Sequence, residues 1–202
     1  SVECLVTVQD TAGDTANGTA SITVENTPPT FTNPAVISPS TNVAVGTSLQ
    51  CSANGSDLND GALTPSYVWT DLNGSVIGSS ATLAVDENNS DPNGVLTCTA
   101  TITDAQGDSA TSSANVTVEN SSPSFDVVAA ITPNTNVLTN TQLTCTGSAS
   151  DVDGDTPTLT YTWTNSSGVN ITETSNVLSL DNTLVSPSDV ITCTITATDD
   201  QG

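Results

Sequence analysis

Three aspartates at alternate positions, Asp151, Asp153 and Asp155 in D-V-D-G-D, are the side chains of this 202-residue chain best disposed for chemistry. Carboxylate oxygens spaced around a glycine turn suit Ca²⁺, which takes flexible all-oxygen shells. The run is too short for an EF-hand loop, and a thinner version stands at Asp57, Asn59 and Asp60. Calcium is the one cofactor these positions suggest, and nothing requires it; the plain alternative is a solvated acidic loop. Other chemistry is limited by what is missing. The chain carries 17 Asp and 5 Glu with no Lys, Arg or His, a formal charge of −22. Without imidazole or amine there is no Ser-His-Asp, Cys-His or lysine machinery. Without basic side chains there is nothing to neutralise phosphates, which argues against nucleic-acid partners and against anionic membrane surfaces. Paired carboxylates can hydrolyse glycosides, but the acids here fall in expected turns, strand edges and linkers rather than converging in an apolar pocket. No catalytic residue is assigned and no enzyme is expected.

Asparagine offers a second chemistry. N-x-S/T sequons occur at Asn17, Asn54, Asn73, Asn88, Asn115, Asn120, Asn165 and Asn170, each a candidate glycan acceptor on an exposed loop or strand. Eight is little more than a chain this rich in Asn, Ser and Thr supplies by chance, and none recurs in register. Asn73 and Asn88 also follow an acid by two positions (Asp71, Asp86), similar to the extended bacterial sequon.

The elements that position these residues are set by an internal repeat. C-L-V-T-V-Q-D-T-A-G-D from Cys4 returns from Cys98 as C-T-A-T-I-T-D-A-Q-G-D and from Cys193 as C-T-I-T-A-T-D-D-Q-G, a step of 94 or 95 residues. Cys51 and Cys145, Tyr67 and Tyr161, Trp69 and Trp163, and Phe31 and Phe125 are each 94 apart. Within a repeat the apolar period is two, which predicts half-buried strands. Leu96, Cys98, Ala100 and Ile102 face a core while the intervening threonines face water; Val2, Cys4, Val6, Val8 and Ile191, Cys193, Ile195, Ala197 repeat the pattern. Each such strand runs into D-x-x-G (Asp10–Gly13, Asp104–Gly107, Asp199–Gly202), a turn in which Asp bonds forward to the backbone and Gly takes a positive φ. The return strands alternate as Ala20, Ile22, Val24 and Ala114, Val116, Val118. Thr and Ser supply 63 residues, material for strands and turns rather than helices. The fold class expected is all-β, with about seven short strands per repeat in a β-sandwich.

The order Cys51…Trp69…Cys98, and again Cys145…Trp163…Cys193, resembles the immunoglobulin fold, in which a disulfide joins strands B and F across two sheets and a strand C tryptophan packs on it. The tyrosine expected two residues before the second Cys is replaced by Leu96 and Ile191. S-D-V-D-G-D-T-P-T-L-T-Y-T-W-T is similar to the signature of PKD-like bacterial and archaeal Ig-like surface repeats, and V-E-N-x-x-P-x-F to a cadherin-like phrase. The resemblance implies a B–F bridge in each unit, Cys51 with Cys98 and Cys145 with Cys193, leaving Cys4 to pair outside the chain, and an oxidising, extracellular or cell-surface setting. It also points to the hairpin acids Asp104, Asp108, Asp199 and Asp200, with Glu25 and Glu119, as an alternative calcium site between units. The boundaries expected are residues 1–27 for the F and G strands of a preceding unit, 28–121 for a complete Ig-like unit, and 122–202 for a unit lacking its last strand.

The linkers, V-E-N-T-P-P-T-F at residues 24–31 and V-E-N-S-S-P-S-F at 118–125, hold proline and no flexible spacer, so successive units are expected to join stiffly. The partners expected are neighbouring copies of the same repeat, either along one long chain or between subunits that exchange a strand. No apolar run is long enough to span a membrane as a helix. These readings converge on a non-enzymatic module of an extracellular fibre, filament or stalk. The alternative is a spacer or ligand-binding stretch of a cell-surface adhesin.

Overall fold

The computed structural model describes residues 1–201, and among them there is no α-helix, hence none long and apolar enough to cross a membrane. The chain opens with β1 (Val2–Gln9) and β2 (Thr15–Ile22), an antiparallel pair with Cys4 opposite Ala20. The first full repeat contributes β3 (Thr30–Ser38), β4 (Ser48–Asp57), β5 (Gly61–Leu63), β6 (Ser66–Thr70), β7 (Val76–Gly78), β8 (Thr82–Ala84), β9 (Val95–Thr103) and β10 (Ser109–Thr117). The second contributes β11 (Ser124–Thr132), β12 (Gln142–Ser150), β13 (Thr158–Asn165), β14 (Val177–Ser179) and β15 (Ile191–Thr198).

In the first repeat β4 pairs with β3, β5 and β8, and a second antiparallel sheet runs β10-β9-β6-β7. The two sheets enclose one core, and the Cys51–Cys98 disulfide crosses it from β4 to β9. In the second repeat the sheets β11-β12-β14 and β13-β15 are joined by Cys145–Cys193 around a separate core. Left-handed backbone conformations at non-glycine residues recur in step with the sequence: Asn42 (φ 54°) and Asn136 (φ 55°), Asn93 (φ 62°) and Ser188 (φ 77°).

The period-two reading of β9 is met: Leu96, Cys98, Ala100 and Ile102 are buried and the alternating threonines lie outward. Trp69 and Trp163 are buried against the bridges, and each indole N–H donates to a backbone carbonyl, Ser80 and Ser175, at 2.9 Å. Satisfying that donor is what permits an indole in a dry core. Gly55 on β4 faces Ile102, whose side chain occupies the place a Cβ would need.

The turns follow the expected chemistry. Asp10 Oδ1 accepts the amides of Ala12 and Asp14, Asp104 Oδ1 those of Gln106 and Asp108, and Gly13 and Gly107 take φ of 95° and 98°. Asp199 Oδ1 accepts the Gln201 amide; its glycine, Gly202, lies outside the described residues.

One expectation of burial fails. Val2, Val6 and Val8 of β1 are exposed, because no second sheet lies against the β1–β2 pair among the described residues, and Cys4 is a free, exposed thiol. In β11, Val127 and Val128 are exposed, whereas Ala35 and Ile37 of β3 are buried. The difference lies in β10, which lies alongside β3, with the Ser112 hydroxyl accepting the Ala35 amide at 2.9 Å; β11 has no such neighbour among the described residues.

Candidate functional site at the repeat junctions

The acidic residues singled out in the sequence gather where one repeat hands the chain to the next. At the first junction Asn26 extends its amide between two acids of the β9–β10 turn, donating to Asp104 Oδ2 at 2.9 Å and Asp108 Oδ2 at 3.0 Å. Thr27 bonds to the loop after β4: its amide and hydroxyl donate to Asn59 Oδ1 at 3.1 and 2.6 Å. Asp57, Asn59 and Asp60, the weaker candidate set, are all engaged. Asp57 Oδ1 accepts the Asn59 and Asp60 amides, and Asp60 Oδ2 accepts the Ala105 amide. Asp57 is buried; Asn59 and Asp60 are exposed.

The second junction repeats the clamp 94 to 95 residues later. Asn120 donates to Asp199 Oδ2 at 3.0 Å, and Ser121 donates through both its amide and its hydroxyl to the Asp153 carboxylate. Asp153 is buried by this contact. Its neighbours are less provided for. Asp151 Oδ1 accepts the Asp153 amide, but Asp151 Oδ2, Asp155 Oδ2 and Asn120 Oδ1 are sealed from solvent without a hydrogen-bond donor. Glu87, from the loop after β8, packs against Gly154 and brings another acid to the same place.

Electrostatics separate the junctions. The Asn26 amide, ahead of the turn amides, holds the Asp104 carboxyl below its ordinary range. Desolvation, then the charges of Asp200, Asp151, Asp153 and Asp199, push Asp155 above it. No three Asp, Glu or Cys side chains among the described residues form a metal-holding group on their own. The hairpin acid Asp108 is turned to Asn26, while Glu119 Oε1 accepts the Asn42 amide at 3.1 Å within its own repeat. Asp108 thus bonds to the linker and Glu119 to the repeat it closes, and Glu25 makes no hydrogen bond to either.

The sequon asparagines divide by surroundings. Asn17, Asn54, Asn73, Asn88, Asn115 and Asn170 are exposed. Asn120 is committed to the junction. Asn165 is buried, with its amide nitrogen donating to Leu184 O and Asp189 Oδ2 and its carbonyl accepting from Ser167, so it closes a turn and presents no free nitrogen.

An apolar groove lined by Val137, Leu138, Leu180, Val185 and Ile191 lies in the second repeat. Counterparts of those positions in the first repeat surround Val116 and Val118, whose strand bonds to Asn93, Gly94 and, through Glu119, Val43. Sequence reasoning missed the roles of Asn26, Thr27, Asn120 and Ser121. The signal was the recurrence, 94 residues apart, of an Asn followed by a hydroxyl residue within the shared V-E-N-x-x-P-x-F linker.

The chain matches no known family model, and no curated protein is similar to it in sequence.

Proposed function

We propose that this chain is a load-bearing stretch of an extracellular array of Ig-like units, a fibre, filament or stalk without catalytic activity. The observation that carries the reading is the clamp made twice with the same chemistry: Asn26 to Asp104 with Thr27 to Asn59, and Asn120 to Asp199 with Ser121 to Asp153. A linker that hydrogen-bonds at each step fixes the angle between units, so extension accumulates along the array instead of averaging out. Two inter-sheet disulfides fit an oxidising compartment and resist unfolding under tension. The threonine-rich acidic exterior, with no cation, keeps neighbouring arrays apart at distances up to about 8 Å at physiological salt.

Electron micrographs of the native material provide the test. Regularly spaced units of constant orientation along a filament support a structural array. A divergent terminal domain carried on a freely jointed string favours the adhesin spacer instead.

A further inference from the structure

We propose that Asn73 is a self-modifying site: the Gly74 backbone nitrogen displaces its side-chain amide, and the chain comes to carry aspartate or isoaspartate there. The only other reactant is water. The Gly74 nitrogen, having given up its proton, forms a bond to Asn73 Cγ; the bond from Cγ to Nδ2 breaks, and Nδ2 takes up that proton and leaves as ammonia. Water then opens the resulting succinimide ring at one of its two carbonyls. One opening gives aspartate, and the other gives isoaspartate, with the backbone routed through Cβ. A following glycine favours the attack, because no Cβ shields its nitrogen.

Asn-Gly pairs stand at residues 17–18, 54–55, 73–74 and 93–94, and the fold treats them differently. Ring closure turns the Asn–Gly peptide about the asparagine Cα–C bond until the Gly nitrogen meets the asparagine's own side chain, so the bonds on either side must yield. Asn17 lies within β2 opposite Thr7, whose hydroxyl donates to Asn17 Oδ1 at 2.8 Å. Gly55, next to Asn54 in β4, pairs with Phe31 on one side and Leu63 on the other, with Ile102 packed onto it. The Asn93 amide donates to Val118 O at 2.8 Å and Gly94 O accepts the Val118 amide at 2.9 Å, which ties both residues of that pair to the end of β10. Asn73 and Gly74 instead occupy the exposed turn between β6 and β7. Asp71 Oδ1 accepts the Asn73 and Ser75 amides at 2.9 and 2.7 Å, and the Gly74 amide donates to Asp71 O at 3.1 Å. Among the described residues none of these bonds leaves the turn. No atom lies within 4 Å of where a Gly74 Cβ would stand, so the approach is open. An exposed turn opens at small free-energy cost, whereas a core ladder opens at a cost approaching that of unfolding.

The same turn is made elsewhere without the reactive pair. In the second repeat Asn165 Oδ1 accepts the Ser167 amide at 2.8 Å and Gly168 takes φ 81°, against 82° at Gly74, with Ser167 in the place of Asn73. Gln106 holds that place before Gly107. The chemistry is therefore particular to the β6–β7 hairpin. Conversion adds a carboxylate beside Asp71 and removes the sequon of Asn73, Gly74 and Ser75, so a glycan on Nδ2 and loss of Nδ2 exclude each other in any one molecule. The inference is independent of the array reading, since the turn reacts whatever the array is for.

Incubation of the unglycosylated, disulfide-bonded chain in mildly alkaline buffer, followed by chymotryptic peptide mapping in a mass spectrometer, tests it. The mass gain of an amide becoming an acid should appear first at Asn73, about tenfold or more faster than at Asn17, Asn54 or Asn93, whose bonds restrict opening. In the reduced, denaturant-unfolded chain all four pairs should convert at similar rates. Methylation by a protein isoaspartyl methyltransferase should label the aged wild-type chain at the same position. Asn73→Ser, which places there the residue of the second repeat's turn, should abolish both signals and leave the other three pairs unchanged. Conversion of Asn17, Asn54 or Asn93 as fast as Asn73 in the folded chain would overturn the proposal. So would an Asn73 that stays intact in the folded chain while the unfolded chain converts. Wild-type mapping against the unfolded control decides the matter even if the variant does not fold.

Discussion

Glu119 and Asn120 are adjacent in the chain and are held by opposite repeats. The Glu119 amide donates to Val43 O at 2.6 Å and its carboxylate accepts the Asn42 amide, both in the repeat just ended, while Asn120 donates to Asp199 in the repeat about to begin. No free residue intervenes. A hinge needs a residue whose φ and ψ can change without breaking a bond to either side, and this junction lacks one.

Removing the clamp should uncouple the repeats while leaving each folded. Asn120→Ala deletes a hydrogen bond to a carboxylate, a class of bond contributing about 1.5–3 kcal/mol. Small-angle scattering should then broaden toward a distribution of inter-repeat angles, with the disulfides and buried tryptophans intact. An unchanged profile would mean that Asn120 is decorative.

Each disulfide should be a major part of its repeat's stability. The bridges span 47 and 48 residues, for which loop entropy gives about 4 kcal/mol. Cys145→Ala with Cys193→Ala should lower the denaturant midpoint of the second repeat, followed through Trp163. The first repeat should be nearly unaffected. Equal loss in both would show that they unfold as one.

Gly55→Ala should destabilise the first repeat. The new methyl meets Ile102, which is completely buried, and overpacking of this kind costs about 1–3 kcal/mol. Pairing it with Ile102→Val should recover part of the loss in a urea titration, because the shorter side chain withdraws from the contested space.

How far the sequence anticipated this can be read from particular residues. The inward row Leu96, Cys98, Ala100, Ile102 and the D-x-x-G turns were legible because period and turn chemistry are local. The bridge between Cys51 and Cys98 followed from resemblance rather than from spacing. Val2, Val6 and Val8 carry the same inward pattern as β9 and yet are exposed, since periodicity says which face is apolar and not whether anything covers it. Asn120 and Asn165 read as sequons. Their hydrogen-bonding roles depend on Asp199 and Asp189, 79 and 24 residues away, and no local rule brings those together.

Glycan occupancy should follow exposure. Peptide mapping of native material should find no glycan at Asn165, whose nitrogen is spent on Leu184 O and Asp189, and any modification should fall among exposed sites such as Asn73 and Asn88. Asn165→Gln should destabilise the second repeat without removing a glycan.

Acid should act through the carboxylates that folding favours in ionised form. Asp104, held low chiefly by Asn26, Asp181 by Thr183, Asp189 by the Ser186 amide and Glu173 by the Ser175 amide all lie below their ordinary range. A depressed folded value contributes stability above the unfolded value, and that stability is lost as pH falls through the folded one. These four should therefore make stability fall below about pH 4, and Asn26→Ala, by returning Asp104 toward its ordinary range, should shrink the acid-dependent loss of the first repeat. Thermal melts across that window measure it.

The central claim is a fixed junction, and residual dipolar couplings from residues 28–201 test it most directly. One alignment tensor fitting the amides of both repeats, at full amplitude in each, is the result predicted. Two tensors of different magnitude would mean that the repeats reorient independently and would contradict the account.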